Sequence, residues 1–264
     1  MVQSAIADTI GVPLEDVFSL SRYLINGVQV KLKFFQSKNP FRLIAQSTTE
    51  KYKLIITDVV FKACKVTLEP GMLSAHGESI KETPAIYPFI KSEVKSFAIA
   101  SGTFTINLDD VFQGNVPSRL VCGLVKGEAY SGSYQTNPFN FKNCNIESFT
   151  VYADGRALPG GGLKQNFSQD NYIEAFHSLF LGLGLDKEDD GVYCKRNEYK
   201  DGYTLFVFDL DSQVVTPGDQ PALKKGNLSL EIRMSQALPW ATTLICYGSF
   251  PAQFLIDEAR AITL

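Results

Sequence analysis

Two histidines, one tryptophan and five cysteines are all that this 264-residue chain offers to chemistry that depends on those side chains. Zinc needs clustered nitrogen and sulfur ligands, and His76 and His177 stand far apart in the sequence. Cys64, Cys122, Cys144, Cys194 and Cys246 are odd in number, and no two form a Cys-x-x-Cys pair. Four of them sit in or beside apolar segments, so they read as reduced, mostly buried thiols. No run of basic residues occurs. The net charge of -3 and pI of about 5.5 lack the footprint of phosphate-driven nucleic-acid binding, and none is expected. No apolar run approaches membrane-spanning length. The opening MVQSAIADTIGVPLEDVF has no charged start followed by an apolar stretch, so it is not read as a secretory signal. The expectation is a soluble protein made in a reducing compartment.

What the chain has is alternation with period two. Val28, Val30, Leu32 and Phe34 share one side of VQVKLKF. Phe104, Ile106 and Leu108 share one side of TFTINL, and Leu228, Leu230, Ile232 and Met234 one side of NLSLEIRM. Such segments are half-buried strands. Apolar throughout are YKLIITDVVF (52–61), RLVCGLV (119–125), YTLFVFDL (203–210) and TTLICYGSF (242–250), which read as strands covered on both faces, or covered on one and engaged with a neighbour on the other. Eight strands are expected, near 28–36, 52–68, 95–107, 118–126, 145–153, 203–210, 227–234 and 242–249. Asp154-Gly155 is a strong hairpin signal. Pro159 is expected to end the return strand, with Gly160 to Gly162 as a flexible joint. One helix follows, between the fifth and sixth strands. Tyr172, Phe176, Leu179, Phe180 and Leu183 form its apolar stripe, and His177 lies off it. Asp170 or Ser168 would cap its start, and Gly182 or Gly184 its end. A weaker helical segment lies near 72–82. The fold class this implies is all-β: an eight-stranded antiparallel jelly-roll sandwich with one inserted helix. Residues 1–18 read as a lead segment and 19–264 as the jelly-roll domain.

Candidate chemistry is sparse. Gly160-Gly161-Gly162-Leu163-Lys164 has a phosphate-loop flavour without the Gly-Lys pair and following hydroxyl such a loop needs. In DKEDDG, Asp186, Glu188, Asp190 and Gly191 occupy the first, third, fifth and sixth positions of a calcium loop, but Asn197 stands where the bidentate glutamate belongs. The stretch Asp186 to Gly191 therefore reads as a solvated acidic loop. No nucleophile, base and orienting group can be named together, so no catalytic, cofactor or metal residue is assigned and no enzyme is expected. Tyr130, Tyr134, Phe139, Phe141 and Trp240 are the aromatics placed to stack a sugar, or to pin loops to the core or to a neighbouring subunit.

Five segments taken in order carry a resemblance: RYLINGVQVKLKFFQSKNPFRLI (22–44), VPSRLVCGLV (116–125), NPFNFKNCNIESFTVYADGRALP (137–159), GYTLFVFDL (202–210) and GNLSLEIRMSQALP (226–239). Together they resemble the C-terminal part of the major capsid proteins of Polinton/Maverick elements and adintoviruses. Where that family has an Arg-Ser-Lys-Asp pattern, this chain has Gln36-Ser37-Lys38-Asn39. The resemblance implies a double jelly-roll architecture of which this chain matches the second roll, with no counterpart of the first before Gly11. It also implies a coat subunit that associates with itself into pseudo-hexagonal trimeric capsomers and with neighbouring capsid subunits. A separate N-terminal roll becomes a candidate partner, and the virion, assembled inside a host cell, the location. The alternative is a jelly-roll binding module that holds a glycan or a cell-surface protein through its loop aromatics.

Overall fold

The computed structural model describes residues 5–13, 16–20, 22–45, 52–185, 194–210 and 223–264. Its helices are α1 (Asn39–Arg42), α2 (Pro70–Glu82), α3 (Gly127–Ser131), α4 (Ile173–Leu183) and α5 (Arg196–Gly202). Its strands are β1 (Ala85–Ile99), β2 (Thr105–Leu108), β3 (Asn115–Val116), β4 (Arg119–Lys126), β5 (Ile146–Ala153), β6 (Arg156–Lys164), β7 (Leu205–Asp209), β8 (Lys224–Lys225), β9 (Leu228–Met234), β10 (Thr242–Ile256) and β11 (Ile262–Thr263). The chain divides into two compact units, one of Met1–Val30, Leu68–Lys91 and Ala252–Leu264, the other of Lys31–Thr67 and Ser92–Pro251.

The larger unit is a two-sheet sandwich. One sheet runs β1-β10-β4-β7 and the other β2-β9-β5-β6, with β3 and β8 paired apart. With the two-residue strands β3, β8 and β11 set aside, the chain order reads 1-8-3-6 across one sheet and 2-7-4-5 across the other. That is the jelly-roll winding, in which the first four strands pair only with the last four. Pairing is antiparallel between β10 and β4, β4 and β7, β2 and β9, β9 and β5, and β5 and β6.

The core between the sheets follows from the alternation. Leu228, Leu230, Ile232 and Met234 of β9 are buried, while Ser229, Glu231 and Arg233 point the other way. Phe149 of β5 meets Phe206 and Phe208 of β7 at 4.9 and 5.1 Å between ring centres, joining the two layers. Aromatic pairs at this separation contribute about 0.5–1.5 kcal/mol beyond their area.

The hairpin forms as its sequence demands. Asp154 and Gly155 both have positive φ, 49° and 78°, so β5 turns tightly into β6. The glycine triplet differs from expectation. It is no hinge: β6 runs through it to Lys164. Phe149 pairs with Leu163 and Val151 with Leu158, so residues 159–162 stand opposite Thr150 alone. The extra residues bulge out of an edge strand, where proline's missing N–H does no harm. Gly162, at φ 71°, lies where a Cβ would come within 2.2 Å of Thr150 Oγ1, so only glycine fits.

Two expected strands are absent. Residues 28–36 and 52–68 form no strand, and Val30, Phe34, Leu54, Ile55, Ile56, Val59 and Val60 are exposed. Alternation supplies a face to bury, but a strand also needs a hydrogen-bonded neighbour, and these segments meet none as a ladder. The place of the missing pair is taken by β6 and by the division of 95–107 into β1 and β2 across the turn at Ser101-Gly102.

α4 lies between β6 and β7, with α5 after it. Its buried residues are the small ones, Ala175, Ser178 and Gly182, rather than the whole aromatic stripe. Gly182 sits so close to β7 that a Cβ would be 2.3 Å from Val207 Cγ1. Phe176, Leu179 and Phe180 are half-buried beside this contact and Leu183 is exposed, because the small residues let the helix come in. Neither Asp170 nor Ser168 caps it; Tyr172 holds the N-cap position without a side-chain bond, and Gly184 ends it in the left-handed conformation. The helical segment expected near 72–82 is α2.

The smaller unit has its own apolar cluster of Tyr87, Phe254 and Ile256, with Leu24, Ile25 and Phe89 packed on it. Tyr87 stacks on Phe254 at 5.0 Å. Its hydroxyl accepts from the Ile25 N–H at 3.0 Å and donates to the Tyr23 carbonyl at 3.1 Å. β11 pairs with the end of β10 through Leu255 and Ile256.

Candidate functional site

The aromatics singled out in the sequence are spread over separate contacts. Phe139 is 64% exposed and meets Phe41 of α1 edge to face at 6.1 Å. Phe141 is half-buried over Gly123 of β4, where a Cβ would come within 2.5 Å of its ring. The lack of a side chain at Gly123 makes that seat. Tyr134 packs edge to face with Tyr52 at 6.4 Å, and its hydroxyl donates to the Tyr52 carbonyl at 2.7 Å. Tyr130 of α3 donates to Ser96 Oγ at 2.9 Å. Trp240 is half-buried, and the Lys126 ammonium lies 4.5 Å from its ring centre. That face of Trp240 is occupied by a cation. Phe41, Phe139 and Tyr134, with α1 and α3 beneath them, seam an irregular surface to the sandwich; they do not line a common pocket.

His76 on α2 and His177 on α4 are both exposed. Asp186, Glu188, Asp190 and Gly191 fall outside the described residues. Among the described residues, no three His, Cys, Asp or Glu side chains gather as a metal site, and no helix is long and apolar enough to cross a membrane.

One polar feature was missed by sequence reasoning. On the face of the β2-β9-β5-β6 sheet turned away from the core, Lys164, Ser148 and Arg233 fall in one row, because Ser148 pairs with Lys164 on one side and Arg233 on the other. They line a cavity of about 410 Å³ together with Glu147, Gln165, Asn166 and Asn171. Gln165 is only 4% exposed, and neither its Oε1 nor its Nε2 has a hydrogen-bond partner. Leaving a buried polar group unsatisfied costs about 1–3 kcal/mol. The backbone there is fixed: the Gln165 N–H donates to the Glu147 carbonyl at 3.0 Å. Asn166 and Asn171 then exchange two backbone hydrogen bonds. Asn166 Oδ1 accepts from the Ser168 and Gln169 N–H groups, both at 3.1 Å. The only sequence signal was the polar pair Gln165-Asn166 directly after Lys164, at the end of a stretch otherwise read as a phosphate-loop remnant.

Arg233 and Glu231 on this face are matched to each other. Arg233 Nε donates to Glu231 Oε1 at 2.7 Å, and the Tyr152 hydroxyl donates to Glu231 Oε2 at 3.0 Å. Arg233 first, and Tyr152 after it, hold the Glu231 carboxyl below its ordinary range. At the edge of the α4 region, Lys200 pairs with Asp170 at 2.5 Å and lowers that carboxyl likewise.

No protein-family model matches the chain. It is 28% identical over 255 residues to uncharacterized protein F54H12.2 of Caenorhabditis elegans, matching 93% of this chain and 60% of that protein. This chain thus spans about three-fifths of that relative's length. Among solved structures, it is similar to the mavirus major capsid protein, at 14% identity, 68% of this chain, 41% of that one and a TM-score of 0.33. It is also similar to PBCV-1 VP54 as fitted into a reconstruction of the virophage Sputnik, at 11% identity, 75% and 55% coverage and a TM-score of 0.42. A third likeness is to a quasi-atomic model of the PBCV-1 virus capsid, at 10% identity, 69% and 52% coverage and a TM-score of 0.35.

Proposed function

We propose that the chain is a structural coat subunit, built to associate with copies of itself and with neighbouring subunits in a shell. The observation that carries this reading is the pairing of two features. A jelly-roll sandwich is wound with its core satisfied between its own sheets. Beside it, strand-patterned apolar residues, Leu54, Ile55, Ile56, Val59 and Val60, stay 47–71% exposed. A contiguous apolar stretch of this kind marks a protein–protein contact. The ordered resemblance to Polinton and adintovirus capsid proteins supports the finer reading: trimeric, pseudo-hexagonal capsomers of a double-stranded DNA virus or element. Closed symmetry would then multiply weak subunit contacts into a stable shell. The sugar-stacking alternative has Phe139 in its favour, but Trp240 already carries Lys126 on its ring.

Sedimentation velocity across a wide concentration range tests the reading. Trimers that build up with concentration, and weaken when Ile55 and Val59 are replaced by lysine, are the expected result. A monomer at every concentration would remove it.

A further inference from the structure

β4 and β10 are neighbours in the middle of their sheet, and their register sets Cys122 opposite Cys246. In the same ladder Leu120 pairs with Gly248 and Leu124 with Leu244. Leu120, Leu124 and Leu244 are buried in one core cluster with both cysteines. Side chains alternate along a strand, so the two thiols point together into the layer between the sheets. Cys122 Sγ donates to Cys246 Sγ at 3.6 Å, and neither residue has exposed surface.

Residues directly opposite in an antiparallel pair have Cα atoms about 4.5 or 5.5 Å apart. A disulfide needs about 4.4–6.8 Å there, so rotation of the two side chains closes the bond without breaking the ladder. What the folded chain denies is access. Burial, and then Cys246, push the Cys122 thiol well up, so the folded pair holds no reactive thiolate. The chemistry belongs to the time before β4 and β10 are covered. We propose that Cys122 and Cys246 form a cross-strand disulfide when the chain folds in the presence of a small-molecule disulfide, and that folding then seals the bond from reductants. The Cys122 thiolate attacks glutathione disulfide and releases one glutathione thiolate. The Cys246 thiolate then attacks the Cys122 sulfur of the mixed disulfide and releases the second. Two cysteine thiols are oxidised, one glutathione disulfide is reduced, and the two protons pass to the glutathione thiolates. A chain folded under reducing conditions keeps its thiols, equally sealed. The core thus records the redox condition of folding, and the linked form ties two central strands across a separation of 124 residues.

The test uses the whole chain with Cys64→Ser, which removes the exposed competitor. It is unfolded in urea and refolded with either glutathione disulfide or dithiothreitol, and its alkylated peptides are mapped by mass spectrometry. The oxidised sample is expected to yield the linked Cys122 and Cys246 peptides, and to melt about 5 °C or more above the reduced one. Dithiothreitol should open the link at least about a hundredfold more slowly in native buffer than in urea. Cys246→Ala should lose both the link and the rise in melting temperature. Should either variant fail to refold, the unsubstituted chain expressed in a reducing and in an oxidising bacterial cytoplasm gives the same comparison. Thiols that stay open to alkylation at Cys122 and Cys246 after oxidative folding overturn the proposal. So does a linked form that melts below the reduced one, or a link that dithiothreitol opens as fast in the folded chain as in urea.

Discussion

Cys122 of β4 and Cys246 of β10 lie directly opposite each other in the ladder, with Cys122 Sγ 3.6 Å from Cys246 Sγ. Both side chains are fully buried. Burial, and then the hydrogen bond to Cys246, push the Cys122 thiol well up. Cys144 is pushed up to about 11 by burial. The thiolate is the reactive form. An aromatic disulfide reagent at pH 8 should therefore label exposed Cys64 on the native chain and leave Cys122 and Cys246 untouched until denaturant is added. Mass-spectrometric mapping reads the result; early labelling at Cys122 would mean that the β4–β10 pairing is wrong.

Leu230 and Ile232 face the core from β9, and Arg233 beside them faces water. Leu230→Ala or Ile232→Ala should cost about 2–5 kcal/mol in urea unfolding. Arg233→Ala should cost less than about 1 kcal/mol, since it breaks one exposed ion pair. Equal losses at all three positions would contradict the assigned face.

Gly182 and Gly184 make an internal control for the α4–β7 contact. Gly182→Ala drives a methyl group into Val207 and should destabilise by about 1–3 kcal/mol. Gly184→Ala meets open space but a φ of 73°, and should cost about 1 kcal/mol. Val207→Ala should restore part of the loss at Gly182 and none at Gly184; thermal unfolding of the double variants checks it.

Acid should weaken the fold through Glu231 and Asp170. Both carboxyls are held below their ordinary values in the folded chain, by Arg233 and Lys200 foremost. A depressed folded pKa contributes stability above the unfolded value and loses it as pH falls through the folded one. The melting temperature should thus decline below about pH 4.5, the ordinary carboxylate range. The decline should be shallower in Glu231→Gln and in Lys200→Met. A decline of unchanged steepness in both variants would place the acid response elsewhere.

Local pattern carried further than chain connectivity did. β4, β5, β7 and β9, the Asp154-Gly155 turn and the Gly184 helix end were legible, because each rests on nearest-neighbour chemistry: alternation, positive φ, a stop signal. Residues 28–36 and 52–68 misled because alternation says which side would be buried, not whether a partner strand arrives. β6 was cut short at Pro159 because an edge strand tolerates what a central one cannot. The helix face was read in part: Tyr172, Phe176 and Leu179 do pack on the core, but the stripe ranked side chains by size, whereas the seat on Val207 rewards their absence. The polar pair Gln165-Asn166 could not show that the Gln165 amide is unpaired, since that is a property of surroundings assembled from β5, β6 and β9.

The uncovered side chains at Leu54, Ile55, Ile56, Val59 and Val60 make the folding equilibrium a question of mass action. A partner that shields them in the native state and not in the unfolded one adds stability that grows with the logarithm of its free concentration. A melting temperature taken on dilute chain then describes a solitary molecule, and a partner at high concentration would hold the same polypeptide in a deeper well.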